Sequence, residues 1–318
     1  MATELRPITL AELPTVCALH QRSQRHDGIP ELLQLEQLEE ELDDEHVVLA
    51  TDTRLAVVDG EPVGYVQTFH LPSDVREERC YVFGAVDPVH RGKGLGTALM
   101  QWALARGAEQ LRSSGRSLPR YLRAEAPDYI ESAHRLYARV GMLPIRYGEE
   151  LLRPLTELPP VPVIEGVRIV PWPADRDEDI RIAKNLSFAD HWGSTPTSPH
   201  NWENMVHGFG ARPDLSVVAV DAQGAIVGHC LNSRYEVEDE VIGRRDAWIA
   251  NLGTLRECRG RGIASALIAH SLAAFVAAGC THASIGVDSA NPSGAARLYR
   301  ALGFVPIQRS ITHQLVVD

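Results

Sequence analysis

The chain has 318 residues, 44% of them hydrophobic and 23% charged, with a formal net charge of −11. That length suits about two domains. The composition excludes a disordered or low-complexity protein, and the negative charge opposes nucleic-acid binding because a phosphate backbone would be repelled.

The elements can be read in chain order. Residues 9–25 read as a helix with Leu10, Leu13, Val16 and Cys17 on one face, and 31–42 as an acidic amphipathic helix. Val47–Ala50, Arg54–Val58 and Pro62–Phe69 read as strands, the last two joined through the Asp59-Gly60 hairpin signal. Strand Cys80–Val86 runs into a glycine loop, Arg91-Gly92-Lys93-Gly94-Leu95-Gly96, which opens a helix over Thr97–Leu111. A strand at 121–124, a helix at 132–140 closed by Gly141, and a strand at 146–152 complete a first unit. Pro154, Pro159, Pro160 and Pro162 then mark a linker at about 154–163.

The second half repeats the order. Helical segments at 179–189 and 201–207 precede strands at 215–220, 226–231 and 247–252. A second loop, Arg259-Gly260-Arg261-Gly262-Ile263-Ala264, enters a helix, followed by strand 283–287, helix 293–302 and a terminal strand. Gly60 and Gly64 match Gly224 and Gly228, Arg91 matches Arg259, and Leu136-Tyr137 matches Leu298-Tyr299. A period this long means two domains and not a solenoid. The expected boundaries are 1–156 and 164–318.

Both glycine loops sit between a strand and a helix. The first N–H groups of a helix lack internal partners and lie at the positive end of its dipole, so each loop is a ready anion site. A Walker loop is excluded because neither copy fits G-x-x-x-x-G-K-[ST]. A dinucleotide fingerprint is excluded because Thr97 and Ser265 stand where the third glycine belongs. What remains is R-x-x-G-x-[GA], in Arg91, Gly94, Gly96 and again in Arg259, Gly262, Ala264.

This pattern, with Leu-Tyr-x-x-x-Gly some 40 residues later, resembles the GNAT superfamily of N-acetyltransferases over essentially the whole chain, twice. The double-domain layout is most similar to that of mycothiol synthase and its relatives. The resemblance implies an α/β (α+β) fold of two tandem domains, each a mixed, mostly antiparallel sheet with helices on both faces. It implies acetyl-CoA as cosubstrate, transfer to the primary amine of a small molecule by direct attack, and no metal. Leu252, Gly253, Thr254 and Gly84, Ala85, Val86 would then pair with the pantetheine arm. Arg259 to Ser265 and Arg91 to Thr97 (Gly260, Arg261, Gly262, Ile263, Ala264; Gly92, Lys93, Gly94, Leu95, Gly96) would hold the pyrophosphate. Tyr299 is the candidate acid for the leaving thiolate, Tyr137 its counterpart, and Asn291 a cofactor-positioning residue.

The first copy departs from the family pattern, with Tyr129 in place of the asparagine and Met142 in place of the phenylalanine. The first domain is therefore expected to bind acetyl-CoA without catalysing, and the second to catalyse. Candidate bases are Asp288 and the acidic run Glu236, Glu238, Asp239 and Glu240, the run reading more simply as a solvated turn. Asp190, His191 and Trp192 are candidates for acceptor recognition. The rival reading is an acetyl-CoA-binding sensor or scaffold without catalysis.

Cys17, Cys80, Cys230, Cys258 and Cys280 are scattered without C-x-x-C spacing, so reduced cytoplasmic thiols are expected, with neither metal site nor disulfides. No apolar run reaches the roughly 18 residues of a membrane span, and the first seven residues have no signal-peptide core. A monomer or homodimer is expected.

Overall fold

The computed structural model describes residues 3–289 and 294–318. It divides into two compact units, Met1–Arg146 with Ser310–Asp318, and Tyr147–Arg309.

The first unit contains β1 (Thr3–Arg6), α1 (Leu13–Asp27), α2 (Leu35–Leu42), the single turn α3 (Leu49–Asp52), β2 (Thr53–Val58), β3 (Glu61–Leu71), β4 (Glu78–Val86), α4 (Leu95–Ser113), β5 (Arg120–Pro127) and α5 (Glu131–Arg139). Then comes β6 (Leu143–Pro154), which crosses the boundary between the units. β1 to β4 pair antiparallel in order, and β4 pairs β5 in parallel. Alternation along the strands separates two apolar faces. Leu55, Val57 and Tyr65 pack with α1 and α2, while Ala56, Val66 and Val82 pack with Leu99, Met100 and Ala103 of α4.

The second unit repeats this with β7 (Val167–Pro171), α6 (Asp177–Ser187), α7 (Pro199–His207), β8 (Val217–Asp221), β9 (Ile226–Ser233), the short α8 (Asp239–Ile242), β10 (Asp246–Thr254), α9 (Ile263–Ala277), β11 (His282–Asp288) and α10 (Ala295–Ala301). Here too every pairing is antiparallel except β10 with β11. Val218, Val220 and Leu231 face α6 and α7, and Val217, Ala219 and Ile249 face α9. Each unit is thus a mixed, mostly antiparallel sheet covered on both faces.

Two expectations are revised. Val47–Ala50 does not form a strand. Val48 donates its N–H to the Asp52 carboxylate at 2.7 Å, and Leu49–Asp52 coils into α3. The strand read at 146–152 also does not close the first unit. Gly148–Pro154 of β6 pairs antiparallel with β11, in the second unit. The first unit is closed instead by Ser310–Val317 of β12 (Val305–Val317), paired with β5. An alternating apolar pattern specifies a strand but not its partner, so nothing local distinguishes the two arrangements.

Candidate active site in the second unit

In the second unit, β10 and β11 are paired only from Asp246/His282 to Ile249/Ile285. Beyond that point Ala250–Thr254 and Gly286–Asp288 part, leaving a wedge whose apex is Ile249/Ile285. Chain passes through the wedge mouth at Gly262, which caps α9 with φ +85°. That left-handed conformation turns the strand exit into the helix and leaves the first N–H groups of α9 facing the wedge, with no acidic residue in the first turn. A Cβ at Gly262 would also press on Ile164 Cδ1 at 3.2 Å. Gly262→Ala is therefore expected to cost about 1–2 kcal/mol, read as a urea midpoint shift, because a side chain is forced into the left-handed region.

A cavity of about 650 Å³ fills the wedge, a volume within the range of small-molecule sites. It is lined by Leu252, Gly253, Thr254, Arg259, Gly260, Gly262, Ile263, Ala264 and Ser265, and by Tyr299, Asp190 and His191. The structure thus gathers most of the residues expected in the second unit into one site. Arg261 and Trp192 are not part of the lining; Arg261 donates to the Glu165 carbonyl at 2.8 Å. Asn291 lies outside the described residues.

The model of the acetyltransferase (GNAT) family matches this chain at residues 13–142 and 180–304. The chain belongs to that family. A mycothiol acetyltransferase of Mycolicibacterium smegmatis is 27% identical over 308 residues, 95% of each chain. Another, of Acidothermus cellulolyticus, is 30% identical over 92% of this chain and 88% of its own. Among solved structures, a GCN5-related N-acetyltransferase of Sphaerobacter thermophilus superposes with TM-score 0.75 at 26% identity, covering 99% of this chain and 96% of its own. A tandem GNAT protein from the clavulanic acid biosynthesis pathway shares the fold, with TM-score 0.69 at 18% identity, over 100% of this chain and 99% of its own. The chain is an enzyme of the N-acetyltransferase class, built as tandem GNAT domains.

Within this GNAT site, Tyr299 is 7% exposed and packs edge-on against Phe304, ring centroids 6.3 Å apart. Burial pushes its phenol pKa well above the usual value, so the ring is a neutral hydrogen-bond donor at physiological pH. Asp288 is the carboxylate of the candidate bases that lines the cavity. Asp239 is held by Arg234 at 2.7 Å, and Glu236 lies 3.4 Å from the same guanidinium; neither lines the cavity.

Arg259 acts on the protein itself. It forms a two-pronged pair with Asp190 at 2.6 and 2.9 Å, and also donates to the carbonyls of Ser187 (2.7 Å) and Thr254 (3.3 Å). Arg91 repeats this with Asp27 (2.6 and 2.7 Å), Ser23 Oγ (2.6 Å) and the Val86 carbonyl (3.1 Å). Each arginine thereby ties the end of a helix to the strand–loop junction. The bond to Arg259 holds the Asp190 carboxyl below its usual pKa, so Asp190 is a fixed anion already paired. These arginines brace the loops through bonds within the protein. His191 is oriented by its Nδ1, 2.9 Å from the Trp192 carbonyl oxygen.

The first unit has the same wedge, with β4 and β5 paired only as far as Tyr81/Arg123 and Gly94 capping α4 at φ +88°. Gly84, Ala85 and Val86 lie on the parted strand, and Arg91–Thr97 span the loop and first turn of α4. Lys93 bends back to the Val89 carbonyl at 3.0 Å. Two features differ. Tyr137 donates its hydroxyl to the Glu125 carbonyl at 3.2 Å and is flanked by His134 and His313. The register of β4 against β3 is continuous, whereas β10 bulges against β9 between Ile249 and Asn251, making Ala250 the extra residue. Such bulges re-aim backbone groups and are frequent beside active sites.

Sequence reasoning missed the polar layer under the cavity. Lys184 is buried, its ammonium donating to Thr197 Oγ1 and lying 5.5 Å from the Phe188 ring centroid, and burial lowers its pKa to about 8. His229 is fully buried, with Nε2 2.7 Å from Asn251 Oδ1. A histidine inside an apolar strand was the available signal. No helix is long and apolar enough to cross a membrane, and no cluster suited to a metal ion occurs, among the described residues.

Proposed function

We propose that the second unit transfers an acetyl group from acetyl-CoA to the primary amine of a small molecule, while the first unit binds acetyl-CoA without catalysing. The observation that carries this reading is the continuous wedge from the Gly262 helix cap past bulged Ala250 to Tyr299. Backbone N–H groups at the start of α9 suit the pyrophosphate. The unpaired edge of Leu252, Gly253 and Thr254 suits the amides of an extended arm, as a peptide suits an open sheet edge. The apex at Ile249/Ile285 stops that arm, so the thioester falls near Ala250 and Asn251.

The amine attacks the thioester carbonyl carbon, the C–N bond forms and the C–S bond breaks. Tyr299 supplies a proton to the departing sulfur, and the amine proton leaves through Asp288 or water. The curated relatives carry the name mycothiol acetyltransferase, which favours a soluble small-molecule acceptor. The five free cysteines suit a reducing cytoplasm.

The test is thiol release from acetyl-CoA across a panel of amino acid amides, amino sugars, amino alcohols and simple alkylamines. Acetylation of at least one amine supports the proposal. Bound acetyl-CoA with no turnover across the panel favours a sensor or scaffold.

A further inference from the structure

Beneath the wedge lies an arrangement that neither the anion cradle nor Tyr299 requires. Asn251 follows the bulge on β10 and lines the cavity. It stands opposite Leu231, which packs with Ile180 and Ala183 of α6, so Asn251 is on the α6 face of the sheet. Tyr299 packs in the other cluster, with α9. The two side chains therefore approach the thioester position from opposite faces.

The Asn251 amide is held in one orientation from below. His229 Nε2 lies 2.7 Å from Asn251 Oδ1, and His229 Nδ1 is buried with no hydrogen-bond partner among the described residues. A neutral imidazole has one N–H, and an unpaired buried N–H is rarer than an under-used acceptor. The proton therefore sits on Nε2 and is donated to Oδ1. That assignment turns Asn251 Nδ2 away from His229, and Nδ2 makes no hydrogen bond among the described residues. The imidazole reaches Asn251 by lying across Gly253, where any Cβ would collide with its Cε1 and with Ser187 Oγ. Burial lowers the His229 pKa to about 4, which keeps the ring neutral and the tautomer fixed near neutral pH.

We propose that Asn251 Nδ2 donates a hydrogen bond to an oxygen beside the reacting amine, selecting acceptors with a carbonyl or hydroxyl next to the amino group, and that His229 is the residue positioning it. This rests on the second unit being the site of acetyl transfer. A neutral hydrogen bond of this kind contributes about tenfold or somewhat less in discrimination.

The experiment measures kcat/KM, expressed per unprotonated amine, for L-amino acid amides and their alkylamine isosteres, such as L-alaninamide against (S)-3-methyl-2-butylamine. The wild type is expected to prefer the amides by about fivefold to tenfold. Asn251→Ala should abolish that preference through the acceptor KM while leaving the acetyl-CoA KM unchanged. His229→Leu should do the same, and His229→Gln, whose amide can replace Nε2–H, should restore most of the preference. No preference in the wild type, or one that survives Asn251→Ala, overturns the proposal while leaving acetyl transfer standing. Equal damage in His229→Leu and His229→Gln, with acetyl-CoA KM raised in both, assigns His229 a packing role only and overturns its part. Absence of turnover with every amine overturns the underlying reading and this inference with it.

Discussion

Tyr299→Phe is expected to lower kcat by about tenfold or more, the low end of what a positioned acid contributes, while Tyr137→Phe changes it by less than about twofold. The phenylalanine keeps the edge contact with Phe304, so folding is preserved and the loss reports the hydroxyl alone. Tyr299 borders the wedge, and burial keeps its phenol neutral. The Tyr137 hydroxyl is already committed to the Glu125 carbonyl. The measurement is steady-state turnover with the best amine of the panel and saturating acetyl-CoA. Equal losses in the two variants would end the division of labour between the units.

Acid is expected to destabilise both units most strongly through His20 in the first and His229 in the second. Burial lowers His20, bonded to the Tyr65 hydroxyl at 2.5 Å, and His229 to about 4. In the unfolded chain both return to about 6.5. Between those values the unfolded state binds protons that the folded state does not, so stability falls as pH drops from about 6.5 to 4 and then levels off. Above about 6.5 neither group contributes a pH dependence. The loss approaches roughly 3 kcal/mol per histidine at the low end. Urea midpoints at pH 7 and 4.5 read it, and the double variant His20→Gln, His229→Gln should flatten the difference. An unchanged slope in that variant would assign acid sensitivity to other groups, among them His70 and His313, whose pKa burial also lowers, and the carboxylates.

What could be read from the residues was whatever is local. The Gly94 and Gly262 turns, the helices behind them and the Leu-Tyr-x-x-x-Gly segments are fixed by short-range geometry, so both loops and Tyr299 were found where they stand. What depends on distant partners was not legible. Arg259 looked like an anion ligand because nothing in its own segment shows Asp190, which lies 69 positions away in sequence and takes its guanidinium. The bulge at Ala250 is a mismatch between two strands and has no signature in one of them. His229 lay unremarked inside the strand at 226–231 because its partner, Asn251, is on the neighbouring strand.

The swapped closing strands bear on how the chain acquires its structure. The sheet of the first unit is finished by Ser310–Val317, and Arg123 meets Gln314 across 191 positions of sequence. During synthesis β5 therefore waits, its outer edge unsatisfied, until the whole second unit has been made. An unpaired strand edge held open that long is a target for aggregation and for chaperones. The separation also places this protein among slow folders, because the entropy of closing so large a loop precedes any reward from the contact. For the same reason, a cut in the proline-rich linker near 154–163 would not release a self-sufficient first half. The second half would lose β6, and the first half would be left with a sheet lacking its last strand.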